Sequence, residues 1–367
     1  MRKHRSFSIQ PSLKIKDALL KWAERYVEVA WLDSNGHTDE YSSYDAILAV
    51  AEQTDKSVKC INNIDELSEF VDKEHDWLFG YLSYDLKNRI ENLSSNNFDG
   101  LKFPEIHFFQ PTKIITIKDG IIDFLYLDAY VDQIEDDYST IKGLLFENID
   151  EKVLSQAIRI KMRIHKDAYF EKANRFLEHI HRGDIYEANF CQEFYAENTV
   201  IDAFETIRKL NTISKPPFAS FLKDKEHYLL CASPERYLKR MGQTVISQPI
   251  KGTAPRGKTQ IEDESLQYQL ENDAKERAEN IMITDLVRND LSKSAVKGSV
   301  EVKELCKVYA FEQVHQMIST VVSKVPKSKK SFELIQETFP LGSKTGAPNI
   351  SAMKIIETLE ETKRGLY

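Results

Sequence analysis

Apolar residues recur at helical spacing over Asp17–Tyr26 (DALLKWAERY), and the next stretch, Val27–Leu32, reads as a strand closed by the turn Asp33-Ser34-Asn35-Gly36. Tyr44–Glu52 and Asp65–Asp72 read as short helices. Trp77–Asp85 (WLFGYLSYD) is aromatic and strand-like. Pro111–Leu127 reads as a hairpin with Asp119-Gly120 at a two-residue turn. Val131–Glu151 is acidic, poor in strand signal, and read as a helical connector. Beyond Ile164 the texture changes. Lys166–His181 predicts an amphipathic helix with Phe170, Ala173, Phe176, Leu177 and Ile180 on one face, stopped by Gly183-Asp184. Ile185–Ala196 alternates like a strand, and Asp202–Leu210 is helical. Strands follow at Phe218–Leu222, Tyr228–Cys231, Tyr237–Leu238 and Val245–Gln248. A long helical tract covers Ile261–Asp290. Gly298–Val302 and His315–Val322 return to strand character. Phe332–Phe339 and Ile350–Thr362 are helical, with a Gly/Pro loop at Pro340–Pro348 between them. Many antiparallel-looking strands interrupted by helices predict an α+β fold, a large, mostly antiparallel sheet core flanked by helices.

Composition narrows the class. Hydrophobic residues make up 41% and aromatics 10% of the 367, enough to bury a sizeable core. A formal net charge of −8 argues against a nucleic-acid-binding face. No run of eighteen apolar residues exists to span a membrane, and MRKHRSFSIQ lacks the apolar region of a signal peptide. Cys60, Cys191, Cys231 and Cys306 form no CxxC and read as reduced thiols of a cytoplasmic protein. A boundary near 160 divides the chain into a scaffold or regulatory domain, 1–160, and a catalytic domain, 161–367.

The chemistry concentrates in the second part. In Gln248-Pro249-Ile250-Lys251-Gly252-Thr253-Ala254-Pro255-Arg256-Gly257 a lone lysine stands between an apolar residue and Gly-Thr. Gly252 lets the backbone approach a ligand or take φ > 0. Thr253 offers a hydroxyl and an N–H to a carboxylate, and the prolines stiffen the stretch. The alternative is a surface turn with a solvated lysine. Ser233-Pro234-Glu235-Arg236 lies sixteen residues before Lys251, so a strand pair joined by a short turn can bring Glu235 and Lys251 into one cavity as proton donor and nucleophile; an exposed carboxylate at a helix or strand start is the plainer alternative. Asp273, Glu276 and Glu279 recur every three residues, which puts three carboxylates on one side of a helix. Hard oxygens at that density suit Mg²⁺, and a solvated acidic face is the plainer alternative. Glu279 adjoins the apolar Ile281–Ile283 and is the leading ligand, with Glu276 second. Asp285, falling on the Ala278–Ile281 stripe, reads as part of a buried Asp–Arg–backbone network. His315 opens an apolar strand; it is a candidate acid or base, though a hydrogen-bonded core histidine is the commoner outcome. Gly342–Pro348 (GSKTGAP) fails the GxxxxGK[ST] pattern but puts backbone donors before a helix, suiting a small anion.

In order, GDIYEANF (183–190), SPER (233–236), PIKGTAPRG (249–257), KERAENIMITDLVRNDL (275–291), GSVEV (298–302), HQMIST (315–320), FPLGSKTGAP (339–348) and RGLY (364–367) resemble the chorismate-utilising enzymes. Within them they are most similar to component I of aminodeoxychorismate (para-aminobenzoate) synthases. GYLSYDL (80–86) is similar to the more variable N-terminal domain. The resemblance implies an anthranilate synthase component I-like sandwich. It also implies that Lys251 attacks C2 of chorismate, that Glu235 protonates the departing C4 hydroxyl, and that Glu279 holds Mg²⁺ on the ring carboxylate. Gly252, Thr253 and Tyr367 match substrate-contacting positions. Ammonia would come from a separate glutamine amidotransferase subunit. Anthranilate synthases typically carry alanine where Lys251 stands, which makes anthranilate synthase component I the alternative. Three departures accompany the match: the family histidine's slot holds Gln316 with His315 one residue earlier, Glu187 replaces a glutamine, and the family runs on past Tyr367 through a further part of the fold. A truncated, non-catalytic fragment that still docks a partner is the reading from a different class.

Overall fold

In EVAWLD at Glu28–Asp33, Val29 and Trp31 point to one side and Ala30 to the other, and all three are buried. A strand buried on both faces needs a layer on each side, and the computed structural model supplies them. It describes residues 2–10, 12–52, 60–61, 63–147 and 157–366. The chain forms two units that interleave along the sequence: Met1–Tyr81, Ile106–Ala157 and Val200–Pro234 in the first, Leu82–Glu105, Ile158–Thr199 and Glu235–Tyr367 in the second.

The first unit holds a seven-stranded antiparallel sheet in the order Arg2–Ser8, Ile121–Leu127, Lys113–Lys118, Ala46–Ala51, Glu28–Asp33, Phe218–Asp224, His227–Ser233. Helices Leu13–Ala23, Ile134–Leu144 and Ala203–Ser214 bring Leu19, Trp22, Ile134, Ile141, Phe204 and Ile207 to the face of Val29 and Trp31. On the other face Ala30, Ala49 and Ala51 pack against Phe79 and Phe109 of a small sheet formed by Cys60–Ile61, Ile106–Phe109 and Phe79–Leu82. Gly80 is required there: a Cβ would stand 1.9 Å from the His107 carbonyl oxygen.

One expectation changes here. Tyr44–Glu52 is not a helix; AILAVA is a central strand, and a short apolar run buried on both sides carries no periodicity to distinguish the two. Arg2–Ser8, assigned no element from the sequence, is an exposed edge strand, anchored by Arg2, whose Nε and Nη2 donate to the Asp76 carboxylate at 2.7 and 2.9 Å. The Asp119-Gly120 hairpin forms as expected, with positive φ at both residues. The connector is helical over Ile134–Leu144; its last residues, 148–151, lie outside those described.

The second unit is built on a sheet in the order Arg236–Met241, Thr244–Gln248, Val314–Lys324, Ile250–Pro255, with Glu301–Ala310 also paired to Val314–Lys324. The expected single helix over 261–290 is two, Gln260–Asn272 and Ala274–Ser292. Asp273 has an extended backbone at the break, and its side chain accepts the N–H groups of Lys275 and Glu276. Ile283, Val287 and Leu291 of the second helix pack on Val245, Val321 and Val325 of the sheet. Of the stretch 185–196 only Glu187–Ala188 and Phe194–Tyr195 are strand, paired with Gly346–Ala347 and Lys161–Met162. On the helix Lys166–Arg182, Phe176 is buried against Ile185 and Ala352, whereas Phe170 and Leu177 remain exposed. Among the described residues no helix is long and apolar enough to cross a membrane.

Candidate functional site

Strand Ile250–Pro255 is irregular where the motif demands it. Ile250 pairs with Ile318 and Thr253 with Gln316, so the register shifts across Lys251-Gly252. Gly252 has φ of +97°, and a Cβ there would lie 3.1 Å from Met317 Cβ and 3.3 Å from Glu276 Oε2. The backbone conformation requires glycine, and the space beside it is tight. The bulge frees Lys251 from the ladder. Its carbonyl accepts from Asn280 Nδ2 at 3.0 Å, and its Nζ donates to Asn189 Oδ1 at 3.3 Å.

Both asparagines are themselves fixed. Asn280 is buried; its Nδ2 also donates to the Met317 carbonyl at 3.0 Å, and its Oδ1 accepts from Ser319 Oγ at 2.5 Å. The Asn189 carbonyl accepts from Arg364 Nη2 at 2.6 Å. Arg364, only 4% exposed, is paired through two nitrogens with Glu360, at 2.9 and 2.6 Å. Sequence reasoning missed Asn189, Asn280 and Arg364 as site residues, although all three lie within the quoted motifs. The available signal was an asparagine entering an apolar run, where an amide must find partners.

Carboxylates gather on the same side. Glu187 and Asn189 are two apart on one extended stretch and so share a face. Burial pushes the Glu187 carboxyl up; the Lys251 ammonium opposes the shift and Glu279 adds to it. Glu187 Oε1 is buried without a hydrogen-bond partner. Glu276 abuts Gly252. Half-exposed Glu279 lies 3.6 Å from Lys275. Glu235 is half-buried immediately before Arg236, which pairs with Gln248, so it stands at the level of Pro249, two residues from Lys251. Thr253 is exposed on the strand beyond. Tyr367 lies outside the described residues.

Three expectations are corrected, and His315 takes the commoner of its two readings. Asp273 is a helix cap, not a third carboxylate on the helix side, because the helix begins after it. Asp285 is exposed and pairs with Arg288 at 2.8 Å; the buried acid of that helix is Asp290, 3% exposed and 2.9 Å from Lys293. The buried stripe runs through Asn280, Ile283, Thr284 and Val287, one residue out of phase with the stripe read from sequence. His315 is fully buried, and its Nε2 is 2.8 Å from Asp263 Oδ1 on the preceding helix. It alternates with Gln316, the partner of Thr253, so it faces away from that side of the strand. Arg256, which bonds Asp263 at 2.8 and 2.7 Å, and the Gly257 N–H, at 2.8 Å, hold this carboxylate well below the usual range, with His315 adding to the effect. In the 342–348 loop, Gly342–Thr345 is a single helical turn and Gly346–Ala347 a strand against Glu187–Ala188; a Cβ on Gly346 would lie 2.3 Å from the Glu187 carbonyl. That glycine serves strand approach, and the helix expected to follow the loop forms over Asn349–Leu359.

The fold is that of anthranilate synthase component I: the crystal structure of that protein from Streptococcus pneumoniae TIGR4 superposes with a TM-score of 0.73 at 21% identity, over 100% of this chain and 79% of that one. A family model described as chorismate binding enzyme matches residues 27–367, and the chain belongs to that family. Aminodeoxychorismate synthase component 1 of Escherichia coli (strain K12) is 39% identical over 202 residues, 55% of this chain and 44% of that protein. Anthranilate synthase component 1 of Thermus thermophilus is 34% identical over 295 residues, 78% of this chain and 63% of that protein. The alignments thus span about half to under two thirds of these relatives' lengths.

Proposed function

We propose that this chain is the aminating component that converts chorismate and ammonia to 4-amino-4-deoxychorismate. The observation that carries the reading is Lys251: a bulged strand residue, fixed through its carbonyl by Asn280 and through its amine by Asn189, beside the acids Glu187, Glu276 and Glu279. The Lys251 amine forms a bond to C2 as the C4–O bond breaks, and Glu235 gives the departing hydroxyl a proton, so that water leaves. Ammonia then forms the C4–N bond and the C2–Nζ bond breaks, returning Lys251. The net change is loss of water and gain of ammonia. Gly252, Thr253 and Tyr367 contact the substrate in this account.

The acids fit a magnesium ion. Three carboxylates crowd one lysine, and Glu187 Oε1 is buried without a hydrogen-bond partner beside Glu279. Glu279 and Glu276 would hold Mg²⁺, which takes oxygen ligands and would neutralise the ring carboxylate of chorismate. The ammonia would be delivered by a glutamine amidotransferase subunit. The naming of relatives as component 1 supports a two-subunit enzyme. Anthranilate synthase component 1 is the second reading, favoured by the Thermus thermophilus relative and opposed by the lysine at position 251.

The covalent route is tested by incubating the protein with chorismate and Mg²⁺ without ammonia and sequencing its peptides by mass spectrometry. The Lys251 peptide is expected to carry chorismate less water. Amination at full rate with no such adduct on rapid quenching would overturn the covalent step.

A further inference from the structure

The first unit contains a second group of charged residues that this reaction does not use. Asp224 and Glu28 are direct partners in the central sheet, on neighbouring antiparallel strands. Both are on the face shared with Ala30, which packs against the small sheet, and both are buried, at 7% and 3% exposure. Like charges directly opposite one another destabilise a sheet, and buried carboxylates require a cation or a proton. The small sheet brings His107, 3% exposed, against them. Its Nε2 is 3.1 Å from Glu28 Oε2, and its Nδ1 is 3.7 Å from Asp224 Oδ2. One donor atom from each residue falls within 4.8 Å of the other two. The close approach that puts His107 there depends on Gly80.

A charged imidazole alone leaves the group short by one positive charge. A second observation points beyond it: Asp224 Oδ1 is buried and has no hydrogen-bond partner. We propose that Glu28, His107 and Asp224 bind one divalent transition-metal ion, with Zn²⁺ the best match, as a structural centre between the two sheets of the first unit. A neutral imidazole and two carboxylates balance a double positive charge. One nitrogen and hard oxygens are donors that Zn²⁺ takes at about 2.0–2.2 Å, and the nitrogen favours it over Mg²⁺. Metal–ligand distances in that range put neighbouring tetrahedral ligands about 3.4 Å apart; the His107 Nε2–Glu28 Oε2 spacing of 3.1 Å is near that value, and, with one imidazole nitrogen binding the ion, the donor atoms of the three residues all fall within 4.8 Å of one another. No chemistry is assigned to the ion; its role is to clamp the small sheet to the large one.

The test uses the whole protein, purified without chelator or added transition metal and kept in millimolar Mg²⁺, so that acidic sites preferring that ion stay filled. Elemental analysis is expected to find one Zn²⁺ per chain. A chelator selective for transition metals should remove it and lower the melting temperature, and one equivalent of Zn²⁺ should restore both. Asp224→Asn, nearly isosteric, should lose the ion. Should that variant fail to fold, Co²⁺ added to the stripped wild type decides: visible d–d bands without a thiolate charge-transfer band support the site, and a thiolate band or no bands overturns it. Zn²⁺ below one tenth of an equivalent with a melting temperature unmoved by chelator or Zn²⁺, or full retention of Zn²⁺ by folded Asp224→Asn, would also overturn it.

Discussion

The molecule holds two gatherings of acids around a nitrogen base, and they differ in burial. Glu28, His107 and Asp224 are closed off between two sheets, each under 10% exposed. Glu276 and Glu279 sit beside Lys251 half-exposed, at the edge of a helix and a bulged strand. Complete burial fixes a charge arrangement and excludes a substrate, so the closed group can contribute only to the fold or hold a small ion. Partial burial keeps the acids accessible, which in the proposed function suits a dianionic substrate arriving with its metal. The same residue types therefore stand in opposite surroundings, set by the layer that covers them.

The strongest way to break that comparison is to empty the open site. Lys251→Ala should lower ammonia-dependent turnover of chorismate by about a thousandfold or more, while the melting temperature stays near wild type because Lys251 is not a core residue. Steady-state kinetics and calorimetry on the same preparation check both halves. Glu235→Gln removes the proposed proton donor and should cost roughly a hundredfold in kcat, with the loss greatest for the step that releases the hydroxyl. Glu279→Gln should act on the ion more than on chemistry: about ten times more Mg²⁺ for half-maximal rate, with much of kcat recovered at saturation. A Mg²⁺ titration separates these outcomes.

The smallest effect sharpens the contrast from within the second unit. Asp290 is buried like Glu28, and burial raises its carboxyl above the ordinary aspartate value of 3.8, with Lys293 pulling it partly back. A raised carboxyl binds its proton longer when folded than when unfolded, so the folded state holds more protons and stability falls as pH rises through that interval. Asp290→Asn removes this cost. Its stability relative to wild type should therefore rise from pH 4 upward and level off above the folded value, by denaturant titration at several pH values, with activity unchanged.

Much of the open site was legible because it is local. Lys251-Gly252 sits in a ten-residue motif whose glycine is required by φ, and Glu276 and Glu279 lie three apart on one helix. The supports were harder to see. Asn189 and Asn280 act through hydrogen bonds to residues 62 and 29 positions away, and no local pattern reports such partners. The carboxylate count was overstated because Asp273 is an efficient cap: the same short acid that reads as a helix ligand ends the helix instead. The hydrophobic stripe of that helix was misphased by one residue, which turned Asp285 inward on paper and left Asp290 unnoticed. In the first unit, Ala46–Ala51 was read as helix for want of alternation. Glu28, His107 and Asp224 come from three distant strands, and only the register of a sheet that recruits residues 218–224 to the N-terminal part puts them together.

The central claim, that the open site aminates chorismate at C4, is tested most directly by product identity. The protein is supplied with chorismate, ammonium and Mg²⁺, then with a lyase that cleaves aminodeoxychorismate, and the products are separated by chromatography. The account predicts para-aminobenzoate that appears only after the lyase is added and is lost in Lys251→Ala. Anthranilate as the main product of the wild-type chain, or undiminished para-aminobenzoate from Lys251→Ala, would contradict it.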